Sequence, residues 1–366
     1  MDETFLWTKL EERRQQNAIR TLCLPTGKID FCSNDYLGIA KQLTANCQPS
    51  TTDYHLSSGS TGSRLLAGNY PLIEEVEQQI AAFHQSGSAL IFNSGYDANI
   101  GLLSCVPQNG DTILYDFLSH ASIRDGIRLS QAQSFAFLHN NLADLKRRLG
   151  QSVGNIFVVT ESVFSMDGDT CPLQEMVALC QQYNAHLIID EAHATGVIGN
   201  RGEGLVQHLN LQHKIFARVH TFGKACGCHG AVVLGSSVLR NYLINFARPF
   251  IYSTSLPPHA VAIIKKSYEI FPLMMAERKH LQSLIQCFQL AQIKYEKLVS
   301  TTPIQAVIIE GNDEVKSVAD LLQENGLDVR PILYPTVPKG KERLRVVLHS
   351  FNTLEEVEKL VQLLKV

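Results

Sequence analysis

The stretch His186–His193, with the sequence HLIIDEAH, decides the fold class. Its short apolar run, rich in β-branched residues, is typical of a buried strand. The run ends on the carboxylate of Asp190, and His193 follows three residues later. In an open α/β sheet the ligand crevice lies beyond the carboxyl ends of the parallel strands. Asp190 and His193 are therefore candidate site residues at that edge.

On both sides of this stretch, short β-rich runs alternate with segments of helical periodicity. The predicted strands are 89–92, 112–116, 134–137, 156–160, 186–190, 217–220 and 231–234. The predicted helices between them are 70–84, 97–105, 122–130 and 173–183. This alternation predicts an α/β fold, with a mostly parallel seven-stranded sheet flanked by helices.

The flanking sequence predicts three segments: an N-terminal helical arm at 1–45, a large domain at 46–255 and a small α+β domain at 256–366. In the arm, 3–20 has the pattern of an amphipathic helix, and a turn is expected at 25–27. After Pro257 and Pro258 the sequence predicts a helical stretch of about forty residues. The remaining predicted elements are the segments 304–309, 315–324 and 343–348 and a final helix, which together indicate the small α+β domain.

Thr353 with Glu356 three residues later predicts a capping box at the start of that final helix.

Composition excludes several classes of protein. The formal net charge of -3 comes from interspersed charges without a basic stripe, so no nucleic-acid partner is expected. No run approaches the roughly 18 apolar residues of a membrane span, and the first residues lack a signal pattern, so we expect a cytoplasmic protein. The nine scattered cysteines indicate reduced thiols. The cluster Cys226-Gly-Cys228-His229 lacks a second ligand pair, so no metal site is expected.

A lysine follows a second strand end in the same region. The run His220-Thr-Phe-Gly-Lys224 closes a predicted strand and precedes small, turn-forming residues. Most lysines at strand ends are simply solvated, but a lysine among apolar residues can lose its charge and form a Schiff base. Pyridoxal phosphate requires such a lysine, a carboxylate for its pyridinium nitrogen and donors for its phosphate. Lys224 and Asp190 supply the first two.

The phosphate donors are expected in the turn of Ser94, Gly95 and Tyr96, which lies between a strand and a helix. Free N–H groups and the helix dipole favour an anion at such a turn, although a Ser-Gly pair before a helix is more often only a cap. His120 follows another strand, where it could stack on a flat cofactor ring. An isolated histidine there is more often structural.

Ordered motifs over most of the chain resemble the α-oxoamine synthases, pyridoxal-phosphate enzymes that condense an amino acid with an acyl thioester and release carbon dioxide. The motifs are 33–38 (SNDYLG), 59–64 with Gly68, 93–99, 118–122, 160–169, 190–196, 221–224, 252–255, 257–258, 335–338 and 343–345. The resemblance implies an aspartate aminotransferase-like fold and a homodimer with active sites at the subunit interface.

The resemblance also implies roles for individual residues. Lys224 would carry the cofactor, Asp190 would pair with its pyridinium nitrogen, and His120 would stack on its ring. The remaining implied contacts are Ser165 and His193 near the phenolic oxygen; Thr221 with the Ser94, Gly95 and Tyr96 amides near the phosphate; Ser253 and Thr254 at the phosphate from the other subunit; Arg345 at the substrate carboxylate; and Asn34 and Arg20 near the substrate.

Within the family, the chain most resembles one subfamily, judging by Gly59–Gly68, Asn93–Asn99 and the His-Asn-Asn run at 139–141. This resemblance implies L-alanine and a pimeloyl thioester, carried on coenzyme A or an acyl carrier protein, as substrates. The cofactor motifs leave open a sister synthase that uses glycine or serine, such as a 2-amino-3-ketobutyrate ligase or a long-chain ketone synthase. A catalytically silent cofactor-binding module of the same fold is a further alternative.

Two segments depart from the family pattern. The link between the N-terminal helix and Ser33 is short, which affects the expected acyl-donor contacts. The run Leu348-His-Ser-Phe-Asn352 replaces a stretch that is usually rich in small residues and threonine. Cys226 to His229 also differs in detail from the usual run after the lysine.

Overall fold

The computed structural model describes residues 1–24, 27–46 and 57–365. These residues pack as two compact units: the smaller unit comprises Met1–Tyr36, Met166–Asp169 and Glu277–Val366, and the larger unit comprises Leu37–Ser165 and Thr170–Ala276. The two units are defined by how compactly their residues pack, whereas a domain is defined by its ability to fold alone. The predicted domain limits therefore stay a prediction. The turn expected at 25–27 has its first two residues outside the described chain.

In chain order the strands of the described residues are β1 (Ile29–Asp30), β2 (Ser88–Phe92), β3 (Thr112–Asp116), β4 (Gln133–Phe137), β5 (Ile156–Glu161), β6 (His186–Asp190), β7 (Ala217–Thr221), β8 (Ala231–Gly235), β9 (Glu296–Lys297), β10 (Ile304–Ile308), β11 (Leu327–Asp328), β12 (Arg330–Ile332) and β13 (Arg343–Val347).

The α-helices of the same residues are α1 (Thr4–Gln15), α2 (Ile39–Asn46), α3 (Pro71–Phe83), α4 (Gly95–Cys105), α5 (Ala121–Leu129), α6 (Leu142–Leu149), α7 (Leu173–Gln182), α8 (Leu205–His208), α9 (Ser237–Phe246), α10 (Arg248–Ile251), α11 (Pro258–Ile270), α12 (Met275–Leu290), α13 (Asn312–Glu324) and α14 (Leu354–Leu363). Short 3₁₀ helices lie at Gln212–Lys214 and Phe271–Leu273.

The larger unit is built on a seven-stranded sheet, which confirms the predicted fold class. The strand order is β2-β8-β7-β6-β5-β3-β4, and all pairs are parallel except those that β8 makes with β2 and β7. Every residue of β5 is buried, as expected for a parallel strand with helices on both faces. Neighbouring residues Val158 and Val159 enter two different core clusters, so both faces of the sheet are covered.

The smaller unit contains a four-stranded antiparallel sheet in the order β12-β13-β10-β9, and a short parallel pair of β1 with β11. Helices α12, α13 and α14 each carry a row of buried apolar residues at helical spacing. The predicted capping box at the start of α14 is present: the Thr353 hydroxyl accepts from the Glu356 N–H, and Glu356 accepts from the Thr353 N–H.

Two predicted helices differ from those observed. The N-terminal helix ends at Gln15 rather than near residue 20, and Asn17 adopts a φ of 48°, which is incompatible with a continuing helix. The stretch after Pro258 is interrupted at Phe271–Leu273, where Pro272 lacks the N–H that a continuous helix requires. No helix within the described ranges combines the length and the apolar character needed to cross a bilayer.

Candidate active site

The predicted site residues of the larger unit follow strand ends at one edge of its sheet. β3, β5, β6 and β7 run parallel, and β2 runs in the same direction because it and β7 are both antiparallel to β8. Their carboxyl ends therefore meet at the same edge. The residues that follow these ends are Ser94 after β2, His120 after β3, Ser165 after β5, His193 after β6 and Lys224 after β7.

Lys224 and His193 form a direct pair. The Nζ atom of Lys224 lies 2.7 Å from Nε2 of His193, and the imidazole is only 5% exposed. When the lysine carries its ammonium charge it can only donate, and Nε2 is then the acceptor. The arrangement gives the lysine a neighbour that can accept and return a proton.

Asp190 ends β6 and is held by two donors. Its Oδ2 accepts from Nδ2 of Asn99 at 2.7 Å, and its Oδ1 accepts from the Ala192 N–H at 2.8 Å. The residue is 7% exposed. Asn99 lies on α4 and was missed by the sequence analysis, because an asparagine within a helix has no signal of its own. Its amide fixes the orientation of the carboxylate.

A chain of hydrogen bonds connects this carboxylate with His120. Asn99 Nδ2 also donates to the hydroxyl of Ser122 at 3.0 Å, and that hydroxyl lies 2.8 Å from Nδ1 of His120. Nδ1 accepts from the Ser122 N–H as well, so His120 caps α5 with an imidazole whose Nδ1 is an acceptor. Burial lowers the pKa of His120, while the charge of Asp190 opposes that effect. The ring is therefore a neutral, fixed plane near neutral pH.

Glu161 is a second buried carboxyl group that sequence reasoning missed. It ends β5, is 3% exposed, and accepts the His120 N–H at 2.6 Å. Burial, reinforced by the charge of Asp190, raises the pKa of Glu161 to about 8. The available signal was the same as at Asp190: a carboxylate that closes an apolar strand.

The predicted phosphate turn lies at the start of α4. Ser94 caps the helix by accepting the Asp97 N–H, and the first-turn amides of this 11-residue helix have no intrahelical acceptor. A Cβ atom on Gly95 would stand 3.6 Å from Oγ1 of Thr221, so the glycine leaves space beside that hydroxyl. The tyrosine side chain of the turn, Tyr96, points away to Asp125.

The segment of Ser253 and Thr254 lies beside the same turn, because Asn93 Nδ2 donates to the Thr254 carbonyl at 2.7 Å. Ser165 is partly buried, four residues beyond the end of β5.

The smaller unit holds the predicted residues Arg345, Asn34 and Arg20. Nη2 of Arg345 donates to Oδ1 of Asn34 at 2.9 Å, and the same oxygen accepts from the Tyr36 hydroxyl at 3.2 Å. Tyr36 is fully buried, and burial raises its pKa to about 12. Arg20 donates to the hydroxyl of Thr336 at 2.9 Å. The structure brings Asn34 and Arg345 together and places Arg20 with Thr336.

The residues of the larger unit fit pyridoxal phosphate. An amine beside an imidazole, a buried carboxylate held by two donors, a fixed neutral ring and a helix N-terminus with an open glycine match the parts of that cofactor. The chemistry of this donor set agrees with the group predicted from the sequence.

Comparisons with known proteins agree with this arrangement. A family model described as aminotransferase class I and II matches residues 26–364. The 8-amino-7-oxononanoate synthase of Emericella nidulans is 43% identical over 93% of this chain and 89% of its own. Among solved structures, the Francisella tularensis 8-amino-7-oxononanoate synthase is similar with a TM-score of 0.75 and 29% identity, covering 92% of this chain and 97% of that one.

A serine palmitoyltransferase from S. paucimobilis, solved with a bound adduct of pyridoxal phosphate and myriocin, is similar with a TM-score of 0.89 and 26% identity. The alignment covers 100% of this chain and 98% of that one. Together these matches confirm the predicted family and fold.

Proposed function

Because this chain belongs to the class I and II aminotransferase family, and within it to the group of 8-amino-7-oxononanoate synthases, we propose that it condenses L-alanine with a pimeloyl thioester. Carbon dioxide is released, and the product is 8-amino-7-oxononanoate, used in biotin biosynthesis. The enzyme is a pyridoxal-phosphate-dependent acyltransferase. The observation that carries the proposal is the pair of Lys224 and His193 beside the held carboxylate of Asp190.

Bound pyridoxal phosphate supplies an electron-withdrawing ring that stabilises negative charge at Cα of the amino acid. The protein supplies the groups that bind the cofactor and transfer the protons. Lys224 would hold the cofactor through its amine, and its Nζ would serve as the base that removes the α-proton of L-alanine. His193 exchanges protons with Nζ across 2.7 Å, which returns the lysine to the form that accepts the next proton.

Asp190 would accept the N–H of the pyridinium ring. Since an opposite charge in a poorly solvated place favours the protonated nitrogen, Asp190 maintains the electron-withdrawing form of the ring. Asn99 and the Ala192 N–H keep the carboxylate in one orientation. His120 stacks on the ring, and its N–H bond to Glu161 fixes the backbone that carries it.

The remaining contacts orient the cofactor and the substrates. Thr221 and the Ser94, Gly95 and Tyr96 amides would bind the phosphate, and Ser165 and His193 would lie at the phenolic oxygen. Arg345 binds the alanine carboxylate through its planar fork. Asn34 holds that guanidinium. Arg20 would lie near the substrate.

We also propose that two copies of the chain form a homodimer, in which Ser253 and Thr254 of one copy reach the phosphate held by the other. The cytoplasm is the proposed compartment. The cysteines of the described residues are thiols rather than disulfides, which suits a reducing environment.

The experiment that tests the function offers the purified, cofactor-loaded enzyme L-alanine, glycine and L-serine, each with pimeloyl and acetyl thioesters on coenzyme A and with pimeloyl acyl carrier protein. Products are identified by mass spectrometry. We expect turnover with L-alanine and a pimeloyl carrier. Turnover of glycine with acetyl-coenzyme A, or of serine with a long-chain thioester, in place of alanine would contradict the proposed substrate.

Lys224→Ala tests the central residue. Without the amine that holds the cofactor, the visible absorbance of the protein-bound cofactor and the activity should both be lost, the activity by at least about a thousandfold. The matched control is Lys214→Ala, an exposed lysine on the same unit, which should leave both unchanged. Retained turnover in the Lys224 variant would remove this residue from the mechanism.

A further inference from the structure

The run Leu348–Asn352, which departs from the family pattern, directly follows β13 and its Arg345. Its histidine, His349, is fully buried in the smaller unit. Nε2 of His349 lies 2.9 Å from the carbonyl oxygen of Ser33 and 3.2 Å from the hydroxyl of the same residue. A carbonyl can only accept, so Nε2 donates to Ser33. The ring also stacks on Phe351, with centroids 4.6 Å apart.

The other side of the ring is held by Asn352. Nδ1 lies 3.1 Å from Oδ1 of Asn352, and that oxygen also accepts the backbone N–H of His349. The Asn352 amide cannot turn, because its Nδ2 donates to the Asp30 carbonyl and to the Glu356 carboxylate. An imidazole whose single proton lies on Nε2 donates to Ser33 alone, and Oδ1 of Asn352, which can only accept, lies beside Nδ1 as a packing contact.

The segment 31–36 is bound along its length to the end of β13. The Val347 N–H donates to Phe31 at 2.8 Å, and the Ser350 N–H donates to Tyr36 at 2.9 Å. Between these two backbone bonds, two side chains hold Ser33: His349 bonds its carbonyl oxygen, and Asp30 Oδ1 accepts its N–H at 2.9 Å. The next residue, Asn34, accepts from Arg345 and from Tyr36 through one oxygen. A continuous chain of contacts thus leads from His349 through Ser33 and Asn34 to the guanidinium.

We propose that His349 is a positioning residue: by holding Ser33 it fixes Asn34, and through Asn34 it sets the orientation in which Arg345 binds the carboxylate of the amino-acid substrate. The inference rests on the proposed role of Arg345. Two parallel N–H···O bonds require the guanidinium plane to match the carboxylate plane, so a partner that fixes this plane before binding improves affinity. His349 makes no contact with substrate in this role.

The test replaces His349 with leucine and with glutamine. Leucine removes the ring bond to Ser33, and we expect the KM for L-alanine to rise about tenfold, corresponding to the loss of one oriented bond. The KM for the acyl thioester and kcat should stay within about twofold, because the acyl substrate and the proton-transfer groups are not served by this contact chain. Glutamine can still donate to Ser33 and should restore most of the alanine affinity.

Calorimetric titration with L-alanine should give the same ranking of the variants, independently of turnover. His280→Gln is the matched control: His280 also contacts this run, through the Asn352 carbonyl at 2.9 Å, but is bonded to neither Ser33 nor Asn34. It should leave the KM for L-alanine unchanged. If the leucine variant fails to fold, Asn352→Ser, which removes the amide beside the ring together with its bonds to Asp30 and Glu356, must raise the same KM.

A double-mutant cycle separates this inference from the proposed function. If His349 acts through Arg345, then His349→Leu adds no further weakening of alanine binding in an Arg345→Ala enzyme. Additive losses, or an equal rise in both KM values, would overturn the positioning role. Unchanged alanine binding in Arg345→Ala alone would instead refute the proposed function of that arginine.

Discussion

At the scale of single residues, two buried carboxyl groups end neighbouring strands in register, Glu161 on β5 opposite Asp190 on β6. Their surroundings differ. Asp190 accepts one N–H from a side chain and one from the backbone, whereas the hydrogen bond to Glu161 comes from the His120 N–H. Two adjacent negative charges in a buried place repel each other, and the raised pKa of Glu161 keeps this residue protonated at neutral pH.

The first prediction concerns the pH dependence of stability. Because burial raises the pKa of Glu161 from an ordinary value near 4.5 to about 8, the folded protein holds a proton that the unfolded chain releases. Its contribution is fully present below about pH 4.5 and is lost as the pH rises to about 8, by at most about 1.4 kcal/mol per pH unit. Glu161→Gln, which cannot ionise, should flatten the fall in unfolding free energy over that window.

Urea unfolding of both proteins at pH 5.5, 6.5, 7.5 and 8.5 measures this difference. Parallel stability curves for the variant and the parent would show that Glu161 is ionised in the folded protein.

The sequence did not identify the site residues whose position depends on tertiary packing. Lys224, Asp190 and His120 follow strand ends, and that position can be recognised in sequence. Asn99 acts from the interior of α4, where only the packing of α4 against the sheet decides which side it faces. The register that sets Glu161 opposite Asp190 likewise depends on contacts between distant segments.

At the scale of elements, the start of α4 carries the second prediction. Gly95→Ala places a methyl group 3.6 Å from Oγ1 of Thr221, an ordinary contact that the fold tolerates but that fills the space proposed for the phosphate. The affinity for pyridoxal phosphate should fall by about tenfold or more, with little change in the melting temperature of the cofactor-free protein. Equilibrium titration with the cofactor measures it.

The matched control is Gly150→Ala, whose Cβ would meet a carbonyl oxygen at the same 3.6 Å at the end of α6. It should bind the cofactor normally. Equal affinities for the two variants would exclude the turn as the phosphate site.

The third prediction concerns α14. Thr353→Ala removes the hydroxyl that accepts the Glu356 N–H, and we expect it to lower the unfolding free energy by about 1 kcal/mol. Thr353→Ser retains the hydroxyl and should cost far less. Urea midpoints compare the three proteins, and equal losses for alanine and serine would mean that the cap contributes nothing.

The strands of the large sheet were predictable to within one residue at each end, because short apolar runs rich in β-branched residues and bounded by turn residues are typical of strands. Helices were less predictable. α6 and α9 were not predicted, and the interruption at Pro272 was overlooked although proline gives a clear signal. For α1, the apolar residues Phe5, Trp7 and Leu10 are exposed in the described chain, so an apparent amphipathic pattern did not correspond to burial.

At the scale of the whole molecule, the division into units could not have been read from the sequence. Residues Met166–Asp169 belong to the smaller unit although both flanks belong to the larger one. They are held by the Ser300 and Thr302 hydroxyls, which donate to the Gly168 carbonyl at 2.8 Å. A contact across more than 130 residues leaves no local pattern, and only the folded chain reveals it.

The fourth prediction tests the proposed homodimer. Lys224→Ala and a Ser253→Ala, Thr254→Ala double variant should each be weakly active alone. If each site combines Lys224 of one copy with Thr254 of the other, mixing equal amounts after unfolding and refolding should restore about a quarter of the parental activity, because half of the dimers are mixed and each has one intact site. Analytical ultracentrifugation verifies the dimer. If mixing restores no activity, Lys224, Ser253 and Thr254 of each site belong to the same copy.

The pairing of β2 with β8 has a consequence for biosynthesis. β2 ends at Phe92, immediately before the turn proposed for the phosphate, yet its sheet neighbour β8 begins only at Ala231. During translation β2 therefore stays unpaired until β8 has left the ribosomal exit tunnel. Until then the exposed edge of β2 can bind chaperones or aggregate. We expect cofactor capture to follow translation of this strand, so that an arrested nascent chain ending before Ala231 binds none.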